Sequence, residues 1–302
     1  MQHPVRLLFH CVATLAWFGA AGPAAADLIS LNPVEDATIS EKSLDIPLGT
    51  NGAQAALTLD AGTTGANEGG KINRSLLRFD VASSVPSNAI VTSATLTMTI
   101  SSTPPLATNL WFSLHRVLVD WNESAVTWTN RLSPPAAWGA PGGAPAIDYS
   151  SAVTQSNLIT GVGVFTFASN PGMVADVQDW VSQPASNAGW MLICELESLF
   201  KSVRKFTSRE NIATNSRPTL VVQFNREISP PTLNLLPATN GQFQFWFNAE
   251  SNRGYTVIYG DDIGATNWNV LTNIPPRPVE ANVLVADALL TESNRFYRVR
   301  SP

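Results

Sequence analysis

Ala94-Thr95-Leu96-Thr97-Met98-Thr99-Ile100 alternates apolar and polar side chains without a break. A period of two marks a strand with one face on a core and the other toward water. Shorter runs of the same kind lie on both sides, at 56–60, 75–81, 111–117, 162–168, 190–196 and 219–225. Turn clusters at 49–52, 62–70 and 133–145 separate them. Short strands with regular turn signals predict an all-β sandwich or barrel. One short helix is expected at 173–182, where Met173, Val177, Trp180 and Val181 share a face between Pro171 and Pro184.

The pattern restarts after Glu227-Ile228-Ser229-Pro230-Pro231, a stretch that reads as a stiff connector because proline cannot donate to a sheet ladder. Strands are expected beyond it at 242–248, 254–259, 268–271, 282–286 and 295–300, in a small Ig- or fibronectin-III-like sandwich at 232–302. The alternative is a single domain in which these strands join the first sandwich. At the other end, Arg6, the apolar run 7–19 and Ala24-Ala25-Ala26 have the order of a secretory signal peptide, expected to occupy 1–26. The apolar run is too short to span a bilayer as a helix of about 20 residues.

Removal of this leader would take Cys11, His3 and His10 with it, leaving Cys194 and His115 as lone representatives of their types. A disulfide framework and a Cys- or His-rich metal site are then excluded. The chain has a formal charge of −5 and four lysines, so no basic footprint for nucleic acid is visible. A P-loop, a dinucleotide fingerprint, an H-E-x-x-H helix and a nucleophile elbow are all absent from the sequence.

Residues 30–226 resemble the DNRLRE family, also classed as carbohydrate-binding module family 96. The resemblance runs through Asp36-Ala37-Thr38-Ile39, Asn51-Gly52, Arg74-Ser75-Leu76-Leu77-Arg78-Phe79-Asp80-Val81, Trp121-Asn122-Glu123 with Trp128, Val177-Gln178-Asp179-Trp180, Gly189-Trp190, Ser208-Arg209-Glu210 and Arg217-Pro218. Each motif is weak by itself, and their order along the domain carries the match. It implies a jelly-roll-like β-sandwich in a secreted or surface protein that binds polysaccharide, acidic glycans such as alginate included. The tail resembles small C-terminal β-domains of secreted Verrucomicrobia-like proteins through Tyr255-Thr256-Val257, Trp268, Leu271-Thr272-Asn273, Asp287 and Arg295–Val299. That resemblance implies no activity, although cell-surface association is an expectation for it.

The candidate ligand-binding residues follow from chemistry. Trp111 and Trp138 are expected as exposed stacking platforms, Trp138 because it lies in a Gly/Pro-rich loop. Trp121 and Trp128 either stack on sugar with Glu123 beside them or pack under the loop that follows Val119, which is where large aromatics usually serve. Lys201, Arg204, Lys205 and Arg209 concentrate positive charge suited to carboxylates or sulfates. Strand alternation would send Arg204 and Lys205 to opposite faces, so the four need not form one patch. Arg74 and Arg78 share a strand face with Leu76 and Asp80, and would line a groove or form an ion-pair ladder. A structural calcium, held by Asp36 and Glu210 with Asp60 and Glu68 as further donors, is the one cofactor considered, although no calcium-loop spacing occurs.

These residues predict a secreted, non-catalytic polysaccharide-binding protein, for an anionic glycan rather than a neutral one. A structural or adhesive surface protein is the alternative, and a polysaccharide-degrading enzyme is the second. For the enzyme the paired carboxylates Glu195/Glu197 and Asp120/Glu123, or Tyr149 and His115 as bases, carry little weight among 23 acidic residues.

Overall fold

The computed structural model describes residues 26–49, 57–105, 107–226, 231–239, 242–250, 253–264, 266–288 and 295–301. The expected leader up to residue 25 and the connector residues 227–230 lie outside the described residues. The chain divides into two compact units, 25–227 and 228–302.

The first unit is an antiparallel sandwich of two curled sheets. Its strands are β1 (Asp27–Leu31), β2 (Glu35–Ser40), β3 (Thr58–Thr63), β4 (Ile72–Arg78), β5 (Ala89–Ser102), β6 (Leu110–Arg116), β7 (Asn130–Leu132), β8 (Ala136–Ala137), β9 (Gln155–Ile159), β10 (Gly163–Phe167), β11 (Trp190–Cys194), β12 (Arg204–Thr207) and β13 (Thr219–Arg226). The alternating run 94–100 lies inside β5, the longest strand among the described residues. β5 pairs with β13, β12 and β10, and β13 pairs in turn with β1. The second sheet runs β2-β4-β11-β6-β9. β3 joins the two, since Thr58 to Ala61 face β12 while Gly62 and Thr63 face β4. At this corner Gly62 has φ +101, and a Cβ there would lie 2.7 Å from the Ser202 carbonyl oxygen. Only glycine fits such a turn.

Between the sheets lies a core that includes Phe79, Leu96, Met98, Phe112, Trp180, Trp190, Phe206, Leu220 and Phe224. The predicted helix is present as α1 (Pro171–Ser182). Asn170 caps it by accepting from the Met173 N–H at 2.8 Å, and Met173, Val177, Trp180 and Val181 are buried. Trp180 and Trp190 meet with ring centroids 4.6 Å apart, and the Trp190 indole N–H donates to Asp176 at 2.8 Å.

A second core covers the outer face of the β2-β4-β11-β6 sheet. Ala37, Ile39, Leu76, Met191 and Ile193 rise from the strands, and Val117, Trp121, Val126, Trp128, Trp138 and Tyr149 close over them. The covering residues come from the excursion 117–149 between β6 and β9. Sequence periodicity places Leu76 on a solvent face beside Arg74 and Arg78; the excursion turns that face into an interior.

The second unit is a small sandwich. One sheet is β14 (Asn234–Thr239), β15 (Gln242–Ala249) and β18 (Ala281–Ala288), with β15 central. The other is β17 (Asn269–Ile274), β16 (Tyr255–Gly260) and β19 (Phe296–Arg300), with β16 central. Phe243, Phe245, Phe247, Tyr255, Val257, Val283, Val285 and Val299 form its core. No helix among the described residues is long and apolar enough to cross a membrane.

Candidate functional site

Arg74 and Arg78 occupy the outer face of β4, and both point into the covered layer. The Arg74 guanidinium pairs bidentately with Glu197, Nε to Oε1 at 2.8 Å and Nη2 to Oε2 at 2.7 Å. It also donates to the carbonyls of Gly142 and Gly143 and lies over the rings of Trp128 and Tyr149. Burial works against its charge, but the hydrogen bonds and charge of Glu197 outweigh that and raise its pKa. Arg78 pairs with Glu35 and Asp120, donates to the Trp121 carbonyl at 2.8 Å and covers the Trp121 ring. The guanidinium forks are thus already filled, so of the groove and the ion-pair arrangement that the sequence left open, the contacts are those of ion pairs.

The cationic run at 201–209 is dispersed. Arg204 is 1% exposed and points inward beside Phe206. It donates to the carbonyls of Ser202, Val203 and Thr108 and lies over Phe112, while its Nε has no partner among the described residues. Burial lowers its pKa. Its expected place on a ligand surface is corrected for this reason. Lys205 faces the other way and pairs with Asp60 at 2.8 Å. Lys201 is exposed, takes a left-handed φ of 64° and has no ion pair among the described residues. Phe200 next to it is 56% exposed.

Arg209 sits among carboxylates. Asp36, Glu123 and Glu210 bring oxygens within 4.8 Å of one another. The Arg209 backbone N–H donates to Asp36 at 2.7 Å, its guanidinium pairs with Glu123, and its Nε reaches Glu210 at 2.8 Å. Burial pushes the Asp36 carboxyl well above the ordinary carboxylate range, against the pull of that N–H. Burial likewise raises Glu210, opposed by the Arg209 charge. Glu210 keeps one buried oxygen, Oε2, without a partner among the described residues. These three are the described residues that could hold a cation. Calcium requires six to eight oxygens, whereas both Glu123 oxygens and one Asp36 oxygen are already taken by Arg209. The residues present therefore do not fit calcium in this arrangement; the guanidinium supplies the positive charge. Asp60 and Glu68 are placed elsewhere, Asp60 with Lys205 and Glu68 in an exposed 3-10 turn. Glu123 is the member that sequence reasoning did not assign to this cluster, because its motif lies 87 positions from Asp36.

Among the tryptophans, Trp121 is fully buried and its indole donates to the Ala188 carbonyl at 2.8 Å. Trp128 and Trp138 are 6% and 5% exposed, and the Trp138 indole donates to the Thr127 carbonyl at 2.9 Å. Trp138 is therefore corrected from an exposed platform to a core residue: its loop folds back over the sheet. Trp111 is different, with half its surface exposed. It stands on the outer face of β6 where the 117–149 layer leaves off, opposite Leu158 on β9. The N–H of Glu195, just past β11, donates to the Trp111 carbonyl. One pleat further, Ser156, Ser113 and Ile193 form the next row. A half-exposed indole on the outer sheet face, opposite Leu158 and next to the Ser113–Glu195 hydrogen bond, offers a flat apolar surface with a carboxylate and a partly exposed serine, Ser156, near it. Such a surface can stack on the apolar face of a sugar ring while neighbours meet its hydroxyls.

Residues 28–143 match carbohydrate-binding module family 96. No curated protein matches the chain. The match takes in Asp36, Arg74, Arg78, Trp111, Glu123 and Trp138 and ends inside the covering excursion. Strands β9 to β13, which complete both sheets, follow it along the chain. The first unit is accordingly similar to modules that bind carbohydrate. Its remaining candidate bases are engaged: His115 Nδ1 lies 2.9 Å from the Ser150 carbonyl, Glu195 accepts from Ser113 Oγ, and Glu197 holds Arg74.

Proposed function

We propose that residues 27–226 bind a polysaccharide outside the cell, without turnover, on the open part of the outer sheet face around Trp111. The half-exposed indole of Trp111 carries this reading, supported by the family match of its segment. Contact would be shallow, with an affinity of about 10 µM to 1 mM, or about 4–7 kcal/mol. A glycan panel followed by calorimetry tests it. Trp111→Ala should abolish the binding contributed by residues 27–226 and leave the fold intact; that contribution surviving in a folded variant would remove Trp111 from the site.

An anionic glycan, with alginate as its test case, is a second reading that rests on Lys201. This exposed lysine is held in a left-handed conformation beside exposed Phe200, and non-glycine residues in that region cluster at functional sites. The other candidate cations, Arg74, Arg78, Lys205 and Arg209, each hold a carboxylate already. Alginate binding that weakens in Lys201→Ala would support this reading, and binding indifferent to that change would remove it.

A further inference from the structure

The outer face of the β14-β15-β18 sheet in the second unit carries a side-chain set that its core does not require. Alternation along β15 buries Phe243, Phe245 and Phe247 and turns Gln242, Gln244, Trp246 and Asn248 outward. The register then fills in the neighbours. Trp246 lies opposite Leu284 on β18 and Asn234 on β14, Gln244 opposite Ala286 and Leu236, and Asn248 opposite Asn282. Leu284 is 60% exposed, and Trp246 is half-buried at the centre of the central strand.

Two features set this face apart. None of these outward side chains bears a charge, in a chain with 18 basic and 23 acidic residues. The described carboxylate in contact with it is Glu280, which accepts from the Asn248 amide at the rim. Its polar groups are almost all carboxamides, which donate and accept at once. Seven residues from Gln242 to Asn248 extend about 20 Å, and three strands extend about 10 Å across. The result is a long, flat, neutral strip with an indole in the middle and amides along its length. An exposed apolar patch bounded by polar groups marks an interaction surface. Its partner must offer a flat apolar face and many hydroxyls and carry no charge, because any charge laid on this strip would lose its hydration without gaining a counter-charge.

We propose that the outer face of the β14-β15-β18 sheet is a second glycan-binding site, and that its ligand is a neutral, extended polysaccharide lying along β15. Trp246 stacks on a sugar ring, with Leu284 beside it, while Gln242, Gln244, Asn248 and Asn282 exchange hydrogen bonds with ring hydroxyls. The site is independent of the Trp111 reading and differs from it in having no ionised group at its centre.

The test uses the full chain in co-sedimentation with insoluble cellulose and chitin and in affinity gels with soluble xylan and β-glucan. The parent chain should be retained on at least one, and retention should survive about 0.5 M NaCl, since the contact is not ionic. Trp246→Ala should weaken retention at least tenfold. Gln244→Glu, which leaves the core untouched, should do the same by placing a charge on the strip, so a folding defect in the first variant does not decide the matter. Trp111→Ala should leave this retention in place. Binding lost in Trp111→Ala but kept in both second-unit variants would overturn the proposal and leave the first site standing. Retention on none of the four neutral polysaccharides, or a parent chain that self-associates and becomes monomeric in Trp246→Ala, would also overturn it.

Discussion

Removing Arg74 separates an internal clamp from a sugar-facing groove. In the structure Arg74 makes two charge-assisted bonds to Glu197 and two to main-chain carbonyls, with side-chain exposures of 14% and 17% for the pair. Arg74→Ala deletes these contacts and leaves the Glu197 carboxylate with little water and no counter-charge. Removing one member of a buried pair costs about 3–5 kcal/mol. For a unit of about 200 residues this is roughly 6–20 °C in Tm. The assay is equilibrium urea unfolding followed by tryptophan fluorescence, which reports on Trp121, Trp128 and Trp138 of the covering layer. Adding Glu197→Gln to Arg74→Ala should recover part of the loss, because the orphaned charge is then gone, and the cycle should show a coupling of about 2 kcal/mol or more. A cost under about 1 kcal/mol with no coupling is the behaviour of an exposed pair. It would refute the interior placement of this face and return Arg74 to the list of ligand contacts.

Trp138→Ala should cost about 3–5 kcal/mol as a core deletion, whereas Trp111→Ala should stay within about 0.5 kcal/mol in the same unfolding assay; similar costs for both would contradict their burial. Gly189→Ala should destabilise by more than about 2 kcal/mol, because a Cβ there falls 2.0 Å from the Leu77 carbonyl oxygen at a φ of +73; a thermal melt like that of the parent would contradict this. Asp36, whose pKa burial raises, contributes stability that is full below its unfolded value near 3.8 and is lost as pH rises through the folded value. Asp36→Asn should therefore gain stability relative to the parent as pH rises above about 3.8, and a pH-independent difference in urea unfolding would argue against it. Since Arg209 already occupies both Glu123 oxygens and one Asp36 oxygen, adding calcium or chelator should leave the parent Tm unchanged, and a rise with calcium would show that a cation displaces the guanidinium.

The outcome for individual residues shows where reading the sequence succeeds. Alternation at 94–100, the Pro-bounded helix and the strand runs of the tail all report local geometry, in which a side chain's direction depends on its nearest neighbours along the chain. That was sufficient for the all-β class, for α1 and for the opposite orientations of Arg204 and Lys205. It was also sufficient for the match to a carbohydrate-binding family, because motif order is itself a one-dimensional property. Which strand face meets water is not local. Leu76, Arg74 and Trp138 would be outward or loop residues by periodicity, and the excursion 117–149 makes them interior by covering the sheet. Glu197 and Glu123 find Arg74 and Arg209 across 123 and 86 positions, separations at which chain spacing carries no information. Composition and pattern determined that this is a mildly acidic, tryptophan-rich β protein; the tertiary structure decided which tryptophans and cations remain exposed, because burial is set by what packs on top of a residue and not by the residue.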